Sequence, residues 1–429
     1  MSERWDVIVA GAGPAGSASA AFLARLGHKV LVLEKEHFPR FHIGESLLPA
    51  SSPILAELGV EMDGETFLFK RGAQFVCERT DRLQVFSFEE AMPGPPRSAF
   101  QVERAHFDKA LADRAREAGA DVRHGVRVNK VDIDDEVRVE TSEGLEVGRF
   151  FIDATGQDRF LARKHKSVRP YKHFGRAAVF THYEGLTDEG WAQVGDGHDI
   201  RIMMIEDGWS WVIPLAGRRL SVGVVLRKQG ITREHLEEHL ASSPLIKAMT
   251  AGATRLETRL LGNYSFKNAI PSGKRFACIG DASCFIDPVF SSGVTLALTS
   301  AKEATALLSA ALQAGTEDDP ELMTPIREAT AQGYETFAAL VHRFYNTKIV
   351  DNLIFGAPAD GELRPSVVSV LGGDVFREDN PFRDMLLQSR ATPWRDDEQA
   401  TEPSDQVIAE ASGKTIEETI RTTMAEKLH

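Results

Sequence analysis

Cysteine is nearly missing from this chain: Cys77, Cys278 and Cys284 are the only three in 429 residues. Their spacing suggests neither a disulfide framework nor a zinc site, and no metal is expected. Long apolar runs are missing too. No window holds eighteen apolar residues free of charge, so nothing reads as a bilayer span. The opening Met1-Ser-Glu-Arg-Trp-Asp lacks a basic stretch followed by an apolar one, so a cytoplasmic protein is expected. Positive charge is the scarcer sign, with 50 Lys and Arg against 63 Asp and Glu and a net charge of -13. Such a surface repels phosphate backbones and anionic headgroups, which argues against nucleic-acid and membrane partners. There is no internal repeat.

What is present is ordinary in bulk and informative in pattern. The length exceeds one small core, so two domains, or one with large insertions, are expected. Asp6–Ala10 is a continuous apolar run, as in a strand buried on both faces. A glycine-rich turn, an Ala-rich helix from about Pro14 to Gly27 and a second strand at Lys29–Glu34 complete a right-handed crossover unit. A helix carrying Phe107, Ala110, Leu111 and Ala115 stops at Gly119. Short alternating strands fill Asp121–Asp153, and the alternation over Ala177–Leu226 suits an antiparallel sheet. A strand at Arg275–Gly280 precedes a long helix from Ser292 to about Ala314. The polar stretch Thr401–His429 reads as a loosely docked amphipathic helix or a mobile tail.

Gly11-Ala-Gly13-Pro-Ala-Gly16 lies between strand and helix, where a dinucleotide turn must be. Gly11 permits the tight turn, Gly13 lets a pyrophosphate approach the backbone, and Gly16 lets helix pack on strand. The helix start then offers free N–H groups to phosphate. Glu34 ends the second strand, placed to accept both ribose hydroxyls. The turn alone does not separate FAD from NAD. Three further segments favour FAD. Gln101-Val-Glu-Arg104 opens a helix, with Arg104 a candidate to pin the ribityl or phosphate. Asp153-Ala-Thr-Gly156 resembles the second glycine turn of glutathione-reductase-type FAD enzymes. Cys278-Ile-Gly280-Asp281-Ala282 resembles their third signature, in which an Asp reaches the same region. No second GxGxxG offers NAD a domain of its own.

Four segments resemble the flavin-dependent halogenases, above all the branch acting on phenols and pyrroles. Phe38-Pro-Arg-Phe-His-Ile-Gly44-Glu-Ser-Leu-Leu-Pro49 is similar to the loop beside the flavin, which related reductases and dehydrogenases share. Gly208-Trp209-Ser-Trp211-Val-Ile213-Pro214 is an unbroken WxWxIP, with both tryptophans on one strand face. Two core tryptophans on a buried strand would look the same. Phe285-Ile-Asp-Pro288-Val-Phe-Ser291-Ser292-Gly293 matches FxxPxxSxG, and its N–H groups at Ser292 and Gly293 are candidates to hold a halide. A plain N-cap by Ser291 or Ser292 is the simpler alternative. Phe69-Lys70-Arg71-Gly72-Ala73-Gln-Phe75 resembles the stretch carrying the family's catalytic lysine. A solvated surface lysine is the bland alternative for Lys70, and Arg71 is its rival cation. The resemblance runs from Asp6 to about Phe376. Tryptophan halogenases carry a Glu just before their Ser-Thr-Gly run, where this chain has Phe290, which disfavours a poorly activated indole position.

The resemblance implies an α/β protein. Its glutathione-reductase-type Rossmann FAD-binding domain is assembled from residues 1–65, 100–160 and 270–315. An antiparallel-sheet substrate domain takes 66–99 and 161–269, and a helical C-terminal region takes 316–429. It further implies that Pro14, Ala15, Lys35, Arg40, Ser46, Val126, Asp281 and Gly293 join Gly11, Gly13, Gly16, Glu34 and Arg104 around FAD. The implied scheme has two components: a separate flavin reductase supplies FADH2, and oxygen with chloride or bromide yields hypohalous acid at the flavin. That acid passes Trp209 and Trp211 to Lys70, which presents it to a free or carrier-tethered aromatic substrate of secondary metabolism. A monooxygenase, reductase or dehydrogenase of the same superfamily is the rival expectation, and a non-catalytic flavin-binding protein is a third. Oligomeric state and substrate identity have no signature in the sequence.

Overall fold

The computed structural model describes residues 4–388 except 95, 172–173, 175–176, 228–229, 263 and 357–360. The expectation for Thr401–His429 lies outside the described residues. The first apolar run forms Arg4–Ala10 and the second Val30–Glu34, joined through the helix Pro14–Arg25. The two strands pair in parallel, and Val30–Glu34 continues in parallel onto Asp121–His124. On the other side Arg4–Ala10 pairs in parallel with Leu145–Asp153, which pairs in parallel with Phe276–Cys278. These strands need apolar residues on both faces because helices cover the sheet. Pro14–Arg25 packs against both Arg104–Glu117 and Ser292–Ala314. Its buried Ala15, Ser17, Ala18, Ser19, Ala20 and Ala21 leave room for that close approach.

A second sheet carries Ala177–Glu184, Arg219–Leu226, Gly208–Leu215 and Ile200–Ile205 as antiparallel neighbours. The alternation over this stretch reports those strands correctly but not two further features. A short helix, Asp188–Ala192, interrupts it, capped by the Thr187 side chain accepting from Gly190 N. The sheet then extends by a parallel pairing of Ile200–Ile205 with Gly72–Cys77, so it is mixed rather than purely antiparallel. Leu68–Lys70 pairs with Ala99–Gln101 as a separate two-stranded ribbon. That ribbon sets Lys70 next to the loop at Ser46, which bridges to Gln101. Beyond Ala314 the described chain is mostly helical, with Thr324–Asn346 packed against Ser292–Ala314. Among the described residues, no helix is long and apolar enough to cross a membrane.

Candidate active site

One cavity of about 390 Å³ is lined by residues of both sheets. At its nucleotide end lie Gly11, Gly13, Pro14 and Ala15 of the first turn and Glu34 and Lys35 after the second strand. Gly13 caps the helix, and Pro14 occupies its first turn, where a missing N–H costs nothing. Gly16 does not face the cavity. A Cβ there would lie 1.9 Å from Gly11 O, so its small size serves helix–strand packing. Glu34 is buried and already accepts from Ala12 N at 2.8 Å and Glu36 N at 3.0 Å. Those bonds fix its carboxylate at the edge of the cavity. Lys35 pairs with Asp158 across the same end, and Val126 contributes an apolar wall.

The middle of the cavity is built on charge. Arg104 donates to Asp108 through Nε at 2.7 Å and Nη2 at 3.0 Å, and through Nη1 to Ile43 O at 2.9 Å. Arg40 donates to the same Asp108 at 2.9 Å. Burial alone would raise the Asp108 pKa, but Arg104 outweighs it and the carboxyl titrates below its ordinary range. Arg40, Ser46 and Arg104 all line the cavity. Every nitrogen of the Arg104 guanidinium has a protein partner, so its fork braces the Gly44 loop. Asp281 is buried on the opposite wall, accepts from Gln157 Nε2 at 3.2 Å, and is pushed up by burial to about 6.

The far end is aromatic. Trp209, Trp211 and Ile213 project from one face of their strand into the cavity, as alternation requires. The two indole rings are 5.9 Å apart, and Phe180 lies 5.8 Å from Trp211. Trp211 Nε1 donates to Ser221 Oγ at 3.0 Å. Trp209 Nε1 donates to the Tyr345 hydroxyl at 2.7 Å, which donates to Asp287 Oδ2 at 3.1 Å. A C-terminal helix thus holds the tryptophan wall to the Phe285–Gly293 segment. Tyr345→Phe is expected to strand the Trp209 N–H in a buried site and to cost about 1–3 kcal/mol of stability. Thermal unfolding, followed by tryptophan fluorescence, measures it.

Pro288, Ser291 and Gly293 line the cavity beside this wall, whereas Ser292 is buried and does not line it. Ser291 adopts a left-handed conformation, with φ of 56°, and makes no side-chain cap. The simple N-cap alternative is therefore not what this turn does.

Lys70 is not a surface lysine. Its side chain is fully buried, while Arg71 next to it is exposed. Nζ donates to Ser46 Oγ and to Leu47 O, both at 2.9 Å, and sits 5.2 Å from the Phe88 ring centroid. Burial drives its pKa down to about 7, against the pull of the Asp199 carboxylate. Lys70 does not itself line the cavity; Ser46, which does, carries the contact. Sequence reasoning missed Glu45, His182, Tyr264 and Tyr345. Glu45 stood inside a quoted motif; the other three had no sequence signal and are found only by their neighbours in space.

The cavity fits FAD on its own features. Gly13 opens onto free space, with only Arg40 Nη2 as near as 3.9 Å to a hypothetical Cβ. A fixed carboxylate stands at the ribose position, and flat apolar walls stand at the ring end. The family model for tryptophan halogenase matches residues 6–95 and 90–367. A 1H-pyrrole-2-carbonyl-[peptidyl-carrier protein] chlorinase from Pseudomonas fluorescens is 29% identical over 88% of this chain and 91% of its own length. The solved flavin-dependent brominase Bmp2 is 26% identical, covers 93% of this chain and 100% of its own, and superposes with a TM-score of 0.79. A solved flavoprotein/dehydrogenase from Cytophaga hutchinsonii is 28% identical with the same coverage and a TM-score of 0.81. With most of its length inside that model, the chain belongs to the tryptophan halogenase family of FAD-dependent, halide-using enzymes.

Proposed function

We propose that this halogenase acts on an electron-rich arene, a pyrrole or phenol, either free or tethered to a carrier protein. We further propose that a separate reductase feeds it FADH2. The observation that carries the reading is the buried Lys70, seated on a loop whose next face lines the cofactor cavity. Bound as FADH2, the cofactor would supply with O2 the oxidising power that turns chloride or bromide into hypohalous acid. In this reading Gly11, Gly13, Pro14, Ala15 and Gly16 form the pyrophosphate turn and Glu34 takes the ribose. Lys35, Arg40, Ser46, Arg104, Val126 and Asp281 complete the cofactor wall. Ser292 and Gly293 offer backbone N–H groups to the halide at the helix start. Trp209 and Trp211 keep the arene from the ring, and Lys70 takes up the hypohalous acid and presents it. Both oxygen atoms leave as water, and the halogen replaces an aryl proton.

Two observations support the substrate class. The chlorinase relative is named for a pyrrolyl carrier protein, and Phe290 stands where tryptophan-acting enzymes place Glu. The deciding experiment supplies reduced FAD, O2 and either halide to a panel of phenols, free pyrroles and pyrrolyl-carrier protein, read by mass spectrometry. Halogenated product from any of these supports the reading. Hydroxylated product, or turnover of an alkene or alcohol without halide, supports the second reading, a dehydrogenase or monooxygenase. That reading is favoured by the dehydrogenase neighbour. NADPH alone is expected not to bleach the bound flavin, because no second nucleotide turn is present. Rapid bleaching in stopped flow without added reductase would overturn the two-component scheme.

A further inference from the structure

Among the described residues lining the cavity, two buried side-chain polar atoms have no hydrogen-bond partner: Glu45 Oε2 and the Tyr264 hydroxyl. Glu45 is the costlier of the two. It is 2% exposed, and a carboxylate oxygen without a donor in an apolar wall is expensive. Its other oxygen, Oε1, lies 2.7 Å from His182 Nε2. An ionised carboxylate only accepts, so His182 carries the proton on that nitrogen. His182 is held edge-on between the Phe41 and Phe180 rings, at 5.7 and 6.3 Å between centroids. The Glu45 backbone is held as well, since its carbonyl accepts from Val102 N at 2.7 Å. A carboxylate fixed on one side and open on the other is a preformed acceptor.

The remaining wall around it consists of Ala178, Phe180, Trp211 and Ile213, from the sheet that does not carry the nucleotide turn. Such a wall suits a flat aromatic ring. We propose that Glu45 Oε2 accepts a hydrogen bond from the imide N3–H of the flavin ring, the one N–H an oxidised isoalloxazine possesses. The inference rests on the FAD reading of the cavity and goes beyond it by assigning which edge of the ring faces the Gly44 loop. The neighbouring Ser46 holds Lys70. The pyrimidine edge and the lysine are then two residues apart along one loop.

N3-methyl-FAD, which cannot donate, is the probe. Binding of FAD and of N3-methyl-FAD is titrated by flavin fluorescence on the parent, on Glu45→Gln and on Glu45→Ala. The parent is expected to bind the methylated flavin about ten- to a hundredfold more weakly, as for loss of a hydrogen bond to a charged group. Glu45→Ala is expected to weaken FAD by a similar factor and to lose the discrimination, so that the two changes are not additive. Glu45→Gln, which keeps the volume, should discriminate less than the parent. The proposal is overturned if the parent binds both flavins equally, or if Glu45→Ala discriminates as strongly as the parent. Failure of the parent to bind FAD at all would instead overturn the cofactor reading. The parent arm needs no substitution, so a variant that does not fold leaves the test intact.

Discussion

Lys70→Met should bind FAD and release hydrogen peroxide when given FADH2 and oxygen, yet form halogenated product about 10²–10³-fold more slowly. Methionine is the informative replacement because it fills the same unbranched space, whereas alanine would open a hole beside Phe88. The signature of a lysine acting on the hypohalous acid is a changed partition between product and peroxide, not a colourless protein. Product formed at close to the parent rate would return Lys70 to a structural role, holding Ser46 and Leu47. Its pKa adds a second readout. In the folded protein the amine titrates near 7, and in the unfolded chain at the ordinary lysine value of 10.5. Between those limits the unfolded chain binds the extra proton, so stability rises with pH across that window. Lys70→Met should flatten this rise. Product partition in the parent should climb through about pH 7 as the amine becomes neutral and nucleophilic.

Gly13→Val should yield a folded protein that has lost its flavin, an affinity loss of at least about a hundredfold by equilibrium titration. Gly11→Val and Gly16→Val should fail earlier, at the fold. The three glycines of one motif separate because they answer to different constraints. Gly11 has φ of +96°, and a Cβ on it would lie 2.4 Å from Ala154 O. A Cβ on Gly16 would overlap Gly11 O. Gly13 has an ordinary φ of -68° and open space, so a side chain there strains nothing in the protein and fills only the room meant for pyrophosphate. A yellow Gly13→Val protein with parent affinity would place the phosphates elsewhere.

Much of this was legible before any coordinates. The helix Ser292–Ala314, the strand ending at Glu34 and the two tryptophans on one face follow from local pattern, because periodicity and glycine placement are local properties. What local pattern does not carry is the identity of a neighbour. Lys70 looked remote from every flavin segment, and it reaches Ser46 only through the pairing of Leu68–Lys70 with Ala99–Gln101. The parallel joining of Gly72–Cys77 to Ile200–Ile205 links stretches over a hundred residues apart, with no turn between them to announce it. Tyr345 lies in a helix whose pattern records only burial, yet its hydroxyl decides how Trp209 is held. Arg104 was expected to reach for the cofactor, and its guanidinium is occupied by Asp108 and the loop carbonyls.

The position of Leu145–Asp153 between Arg4–Ala10 and Phe276–Cys278 has a consequence for biosynthesis. The nucleotide turn leaves the ribosome among the first segments, yet its sheet cannot close until the strand ending at Cys278 follows. At roughly 5–20 residues per second, the early strands wait on the order of tens of seconds with unpaired edges. Those edges, Val7-Ile8-Val9 and Val30-Leu31-Val32, are the apolar, β-branched sequence that aggregates when left open. Yield of this protein should therefore depend more on chaperone supply and slow, cool expression than on the stability of the finished fold.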